Sequence, residues 1–145
     1  MRLISIPHKM YSLSISAALH YFAALPILID YAEKQPNRFI RIYFGTIMMA
    51  TTLSIVWHIY PSSIILFLCD YTFAVLWFLL DYMWYRLLNK PIIFEMNFLV
   101  FLIYMLSMFY TNYEFAHYVW HIISATKCVY VSYIIHKFDK NNNAE

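Results

Sequence analysis

Apolar residues run along this chain in long blocks, each cut from the next by a short polar or proline-containing break. The blocks cover residues 10–29, 39–60, 62–88, 92–110 and 113–135, and the breaks are "DYAEKQPNR", Pro61, "NKP" and "TN". A hydrocarbon core of about 30 Å takes roughly 20 helical residues to cross, so blocks of this length predict transmembrane helices. The third block is the longest. At about 1.5 Å per residue, residues 62–88 would reach about 40 Å, which predicts a strong tilt or a first stretch, "SSIILFL", lying in a rim or loop. The expected architecture is an all-α integral membrane bundle of about five transmembrane helices. It forms one domain over residues 1–137, with a polar, frayed tail over residues 138–145.

Composition supports the same picture. Of 145 residues, 63% are hydrophobic, 12% are charged and one is glycine, a balance foreign to soluble domains. The first block is long for a signal peptide and lacks a clear small-residue cleavage pattern before Asp30, so it is expected to remain as a helix. Cys69 and Cys128 both fall within predicted spans, which argues against a structural disulfide. A net charge of +2 gives nucleic-acid binding no support.

Cation placement predicts orientation. Five crossings put Lys34, Arg38, Arg41, Arg86, Lys90, Lys137 and Lys140 on one side and only Arg2 and Lys9 on the other, so the amino terminus is expected to face away from the cytoplasm. Tyr82, Trp84 and Tyr85, beside Arg86, fit an interfacial aromatic belt on the cytoplasmic side.

Ionisable groups at membrane depth are costly and face a bundle interior or a wet cavity, so they are the first candidates for chemistry. They are His20, His58, Asp70, Asp81, Glu95, His117, His121 and Lys127. In "HYVWH", His117 and His121 stand at i and i+4, so they project from one helical face about a turn apart and can offer two imidazoles to one metal. The crossing order brings the end of the second span, the starts of the third and fifth, and hence His58, Asp70, His117 and His121, to the same non-cytoplasmic end. Ser54 shares the face of His58 in "SIVWH". Three neutral imidazoles around zinc leave a fourth position for water, the pattern of a catalytic site. A nearby carboxylate, Asp70, can move the proton, and Ser54 can bond the water or a developing oxyanion.

The succession "SIVWH" (residues 54–58), "CDY" (residues 69–71) and "HYVWHI" (residues 117–122) resembles the CREST superfamily of membrane hydrolases and receptors. That group includes alkaline ceramidases, adiponectin and progestin receptors, and hydrolases that remodel GPI-anchor lipid. Its shared pattern is S-x-x-x-H, an aspartate in the next helix, and H-x-x-x-H in the final helix. Trp120, just before the second histidine of the pair, looks most like the GPI-remodelling and ceramidase branches. The resemblance implies a zinc site of His58, His117 and His121, with Asp70 and Ser54 beside it, that cleaves an amide or ester bond of a membrane lipid. Members usually have seven spans. The five expected here preserve the parity that keeps the site on one face while removing walls that would shape a lipid pocket.

Plainer readings accompany each residue. The histidine pair can be packing residues bonded to neighbouring helices, and Asp70 a helix-start acid favoured by the macrodipole. Ser54 can bond back to its own helix, and Glu114, on the face of His117, is a solvated first-turn acid or an alternative ligand. His20 is expected to hydrogen-bond across the bundle. Asp81, Glu95 and Lys127 are assigned no chemistry, with one acid pairing Lys127 or each snorkelling to the interface. Histidines at i and i+4 cannot clasp one haem plane from both sides, whereas His58 with one of them could, leaving the other idle. The alternative function is a non-catalytic membrane protein, receptor-like or an assembly subunit, that keeps the histidines as a structural metal cross-link. A helical partner chain or a second copy could then supply the missing spans. The expected location is an endomembrane (ER or Golgi) or the plasma membrane.

Overall fold

The computed structural model describes residues 11–33 and 36–142, so the expectations resting on Met10, on Arg2, Lys9 and Lys34, and on residues 143–145 lie outside the described residues. The described elements are α1 (Tyr11–Ala18), a 3-10 segment (Leu19–Ala24), α2 (Leu25–Glu33), α3 (Arg38–Ile59), α4 (Ile64–Leu88), α5 (Pro91–Ser107) and α6 (Tyr113–Asn142). The fold is an all-α bundle, as the block pattern predicts.

Each break works through the chemistry of its residues. Asn37 caps α3, its Oδ1 accepting the Ile40 amide at 3.0 Å, and the Ser63 hydroxyl caps α4 by accepting the Leu66 amide at 3.3 Å. Asn89 ends α4 in the left-handed region at φ 50°, a conformation asparagine tolerates, and Pro91 opens α5 where its missing N–H is harmless. Asn112 accepts the Phe115 amide at 3.2 Å and so starts α6. Four threonine hydroxyls inside the helices bond back to their own turn: Thr46 donates to Ile42 O, Thr52 to Met48 O, Thr72 to Leu68 O and Thr126 to Ile122 O.

Three boundaries differ from the sequence reading. The first block is interrupted by the 3-10 segment, which ends just before Pro26, a residue that cannot donate to the Phe22 carbonyl and so loosens the preceding turn. The α5 helix stops at Ser107, where the Ser107 hydroxyl turns back onto Tyr104 O at 2.7 Å and the amides of Met108, Phe109 and Tyr110 take tighter i−3 carbonyls. The sixth helix runs past residue 135 to Asn142, so residues 138–142 are helical where a frayed tail is expected. Phe138 packs against the core, and buried Asp139 accepts a bond from Asn37 Nδ2 at 3.2 Å, which ties the end of α6 to the cap of α3.

Three stretches are long and apolar enough to cross a bilayer: Tyr11–Ile29 with 19 residues, Arg38–Ile59 with 22 and Ile64–Leu88 with 25. The chain is a membrane protein on this criterion. The α5 helix is apolar but shorter, at 17 residues. The α6 helix has the length, but Glu114, His117, His121 and Lys127 lower its apolar character.

The centre of the bundle is α6, which packs on α1, the 3-10 segment, α2 and α5, while α3 packs on α1 and α4. Inward positions recur every three or four residues, with Ile40, Tyr43, Ile47 and Ala50 on α3, Trp77, Leu80 and Trp84 on α4, and Cys128, Val131 and Ile135 on α6. In a bilayer this contact is driven by close van der Waals fit, since lipid tails are as apolar as the core. Trp84 is therefore a core residue. It is buried edge-on to Tyr43 at 6.4 Å, whereas Tyr82 is exposed and Tyr85 half-buried, so the predicted belt keeps the tyrosines and loses the tryptophan. Cys69 and Cys128 are free thiols.

A buried ion pair joins four helices. Lys127 Nζ on α6 donates to Asp81 Oδ2 on α4 at 2.5 Å and to Asn97 Oδ1 on α5 at 2.9 Å. Tyr43 on α3 donates its hydroxyl to Asp81 Oδ1 at 2.6 Å, and Trp77 Nε1 donates to that same hydroxyl at 3.2 Å. Asp81 is thus the acid that Lys127 takes. Breaking such a pair by removing one partner typically costs about 3–5 kcal/mol, because the other charge stays buried.

Candidate metal centre

The local sequence places the histidines before any tertiary contact does. His58 lies in the last turn of α3, which Tyr60 closes with its amide on Val56 O, and His117 and His121 lie in successive early turns of α6. Trp120, between them in the motif, donates Nε1 to Val100 O at 3.0 Å and so holds this part of α6 against α5.

All three histidines are buried, with exposures of 1%, 3% and 2% in chain order. Their ring centroids are 5.6 Å apart for His58 and His117, 5.3 Å for His58 and His121, and 4.8 Å for His117 and His121. One ligand nitrogen from each ring lies within 4.8 Å of the others, and among the described residues this is the group of histidine, cysteine and acidic side chains able to hold a metal ion. His58 Nε2 and His121 Nε2 are 3.1 Å apart. Two nitrogens sharing a tetrahedral ion at about 2.0–2.1 Å stand about 3.3 Å apart, so this pair already has the spacing of co-ligands. Nitrogens on opposite sides of an iron would be about 4 Å apart, so the pair does not have haem-clasping geometry.

Hydrogen bonding within the cluster leaves it unfinished. The His58–His121 contact is its one mutual bond, and Nδ1 of His58, His117 and His121 are all buried without a partner. Buried polar atoms are nearly always satisfied, and a neutral imidazole keeps one nitrogen free as a ligand. Three unprotonated-capable rings converging in an apolar shell therefore fit a cation better than they fit one another. That shell is aromatic: Trp57 packs on His58 at 4.7 Å, Tyr113 stacks on His117 at 5.0 Å, and Tyr104 meets His117 at 5.9 Å.

Ser54 and Asp70 sit together to one side. The Ser54 side chain lies beside the Asp70 carboxylate on the next helix, close enough to act on it. Both residues are half-buried, and Asp70 lies outside the group of converging ligand atoms. Tyr104 and Tyr113 pack against His117, and the hydroxyls of Tyr71 and Tyr104 hydrogen-bond each other. Glu114 is exposed and accepts a bond from Ser12, which turns it away from the ligand set and leaves it the first-turn acid of the plainer reading.

His20 departs from expectation. Its Nδ1 bonds Ala17 O at 3.0 Å within its own segment, and its ring packs on His121 at 5.6 Å, Trp77 at 5.8 Å and Trp120 at 6.5 Å. No motif marks it; only the packing of the 3-10 segment on α6 brings it to the cluster. Two surface clefts, one lined by Phe22, Pro26 and His136 and the other by Met96, Val100 and Lys127, lie away from the three histidines. Comparison of the chain with protein-family models, with curated proteins and with solved structures finds no match.

Proposed function

We propose that this protein is a zinc-dependent hydrolase of the bilayer, cleaving an amide or ester bond of a membrane lipid. The carrying observation is the convergence of His58, His117 and His121, with one ligand nitrogen from each within 4.8 Å of the others. All-imidazole coordination suits zinc among the available divalent ions, and three protein ligands leave one position open. The order of serine, histidine, aspartate and paired histidines, which resembles the CREST superfamily, supports hydrolysis. In this reading the chain crosses the membrane five times, with the site on the non-cytoplasmic side of an endomembrane or the plasma membrane.

His58, His117 and His121 would hold the zinc, which supplies Lewis acidity that polarises a carbonyl and brings the pKa of water to about 7. Asp70 accepts the proton that water loses and returns it to the leaving nitrogen or oxygen, so one water is consumed for each fatty acid and amine or alcohol formed. Ser54 orients the Asp70 carboxylate beside it and would offer its hydroxyl to a developing oxyanion. Tyr104 and Tyr113 exclude water from the His117 side.

Purified protein in vesicles carrying a long-chain N-acyl lipid or an acyl ester lipid tests the reading. His58→Ala removes both metal and turnover; Asp70→Ala keeps the metal and stops turnover. Full zinc occupancy in His58→Ala would refute the ligand assignment.

A second reading has a specific observation behind it. The three histidines are almost wholly buried and neither cleft contains them, as suits a metal cross-link between α3 and α6 in a non-catalytic receptor-like or assembly subunit. Spectra of the cobalt-substituted protein separate the two. An exchangeable fourth ligand belongs to the enzyme, and recruitment of Asp70 as a fixed fourth ligand belongs to the cross-link.

A further inference from the structure

His121 joins the cluster to its surroundings from a buried position. It is 2% exposed, its Nε2 faces His58 Nε2 at 3.1 Å, and its Nδ1 has no partner. If Nε2 serves a metal, the ring is the tautomer that carries its proton on Nδ1, and that N–H needs an acceptor. A metal-ligating histidine nearly always has one, because the bond fixes both tautomer and ring angle.

One neighbouring ring has the right electronic state. His20 bonds the Ala17 carbonyl through Nδ1 at 3.0 Å, and since a carbonyl only accepts, His20 Nδ1 carries the proton and its Nε2 keeps a lone pair. The His20 and His121 rings are 5.6 Å apart, centre to centre, with planes at 78°. An in-line N–H···N bond of about 3 Å between two imidazoles sets their centres about 5.2 Å apart, so the observed spacing suits such a pair once His121 Nδ1 and His20 Nε2 turn toward each other. His20 is itself buried, at 7% exposure.

The backbone is built to bring it there. His20 sits in the 3-10 segment Leu19–Ala24 that interrupts the first apolar stretch, and a 3-10 turn inside a longer helix often marks a functional position. Ala23 and Ala24, both buried, let this segment approach α6 closely. Trp77, on the other side of the His20 ring at 5.8 Å, is fixed by its bond to Tyr43. His58 packs on Trp57, whose indole has no acceptor, and His117 packs on the rings of Tyr113 and Tyr104 with its Nδ1 unbonded.

We propose that His20 is a positioning residue for the metal centre: its Nε2 accepts the Nδ1 proton of His121, completing a relay from the Ala17 carbonyl through two imidazoles that aims His121 Nε2 at the ion. The inference rests on the metal-binding reading above and adds to it a residue outside the three ligands, Asp70 and Ser54.

The test uses the full chain, ring-labelled with nitrogen-15 on histidine, in bilayers, and zinc alone as the probe. In the unmutated, zinc-loaded protein, His20 is expected to be protonated on Nδ1 and His121 on Nδ1, with a coupling across the N–H···N bond. His20→Phe keeps an aromatic ring but no acceptor and is expected to weaken zinc binding by about 10–100-fold, the usual effect of losing such a partner. His20→Gln restores a carbonyl acceptor and should recover most of that loss. Protonation of His20 on Nε2, or zinc binding by His20→Phe as tight as that of the unmutated chain, would overturn the proposal while leaving the three-histidine site standing. Absence of zinc binding in the unmutated chain would overturn both.

Discussion

Around the Asp81–Lys127 pair the polar side chains of Asp81, Lys127, Asn97, Tyr43 and Trp77 all have partners, whereas around His121, a short way along α6 from Lys127, three ring nitrogens have none. Asp81 takes Lys127 and Tyr43, Lys127 also takes Asn97, and the Tyr43 hydroxyl takes Trp77. The histidines share one contact between two of them and leave Nδ1 of His58, His117 and His121 unpartnered. Both clusters are buried in the same apolar surroundings. The first is closed and needs nothing more, so it reads as a clasp between four helices. The second is open, which is the condition of a binding site in a medium that cannot hydrogen-bond.

The sharpest way to break this contrast is at the closed cluster. Asp81→Leu strands the Lys127 ammonium and is expected to destabilise the protein by about 3–5 kcal/mol, measured by reversible unfolding in mixed micelles. The double change Asp81→Leu with Lys127→Met should recover most of that loss, since an apolar pair of similar volume replaces ions already cut off from water. Tyr43→Phe removes two bonds, one to Asp81 and one from Trp77, and leaves the Asp81–Lys127 pair, so a loss of about 1–3 kcal/mol is expected.

The open cluster should respond in the opposite sense. With metal absent, His58→Leu together with His121→Leu removes two polar groups whose hydrogen bonds are incomplete, and stability should stay within about 1 kcal/mol of the unmutated chain. A loss as large as that of Asp81→Leu would mean that the two clusters are equivalent. The smallest effect is expected at Glu114→Gln, where the exposed side chain bonds Ser12 and zinc affinity should not change.

Much of this was legible in the chain. Spacing at i and i+4 put His117 and His121 on one face, and the succession of breaks returned the end of α3 to the beginning of α6, where His58 meets them. The capping residues Asn37, Ser63 and Asn112 stand where the apolar blocks stop. What sequence reasoning missed depends on contact between distant segments. His20 carries no periodic signal, and its place beside His121 follows from the Pro26-associated 3-10 turn and two small alanines. Trp84 looks like a belt residue in a line of text because the face of α4 that meets Tyr43 cannot be seen there. The helical end of α6 was hidden for a similar reason, since polar Asp139 is held by Asn37 from across the bundle.

Metal content of the purified chain, determined after loading with zinc and removal of excess, bears most directly on the account. One tightly held zinc per chain is expected in the unmutated protein, in Asp70→Ala and in Glu114→Gln, and none in His58→Ala, His117→Ala or His121→Ala. Zinc retained in full by any of those three histidine variants, or absent from the unmutated chain, would contradict a centre built from His58, His117 and His121.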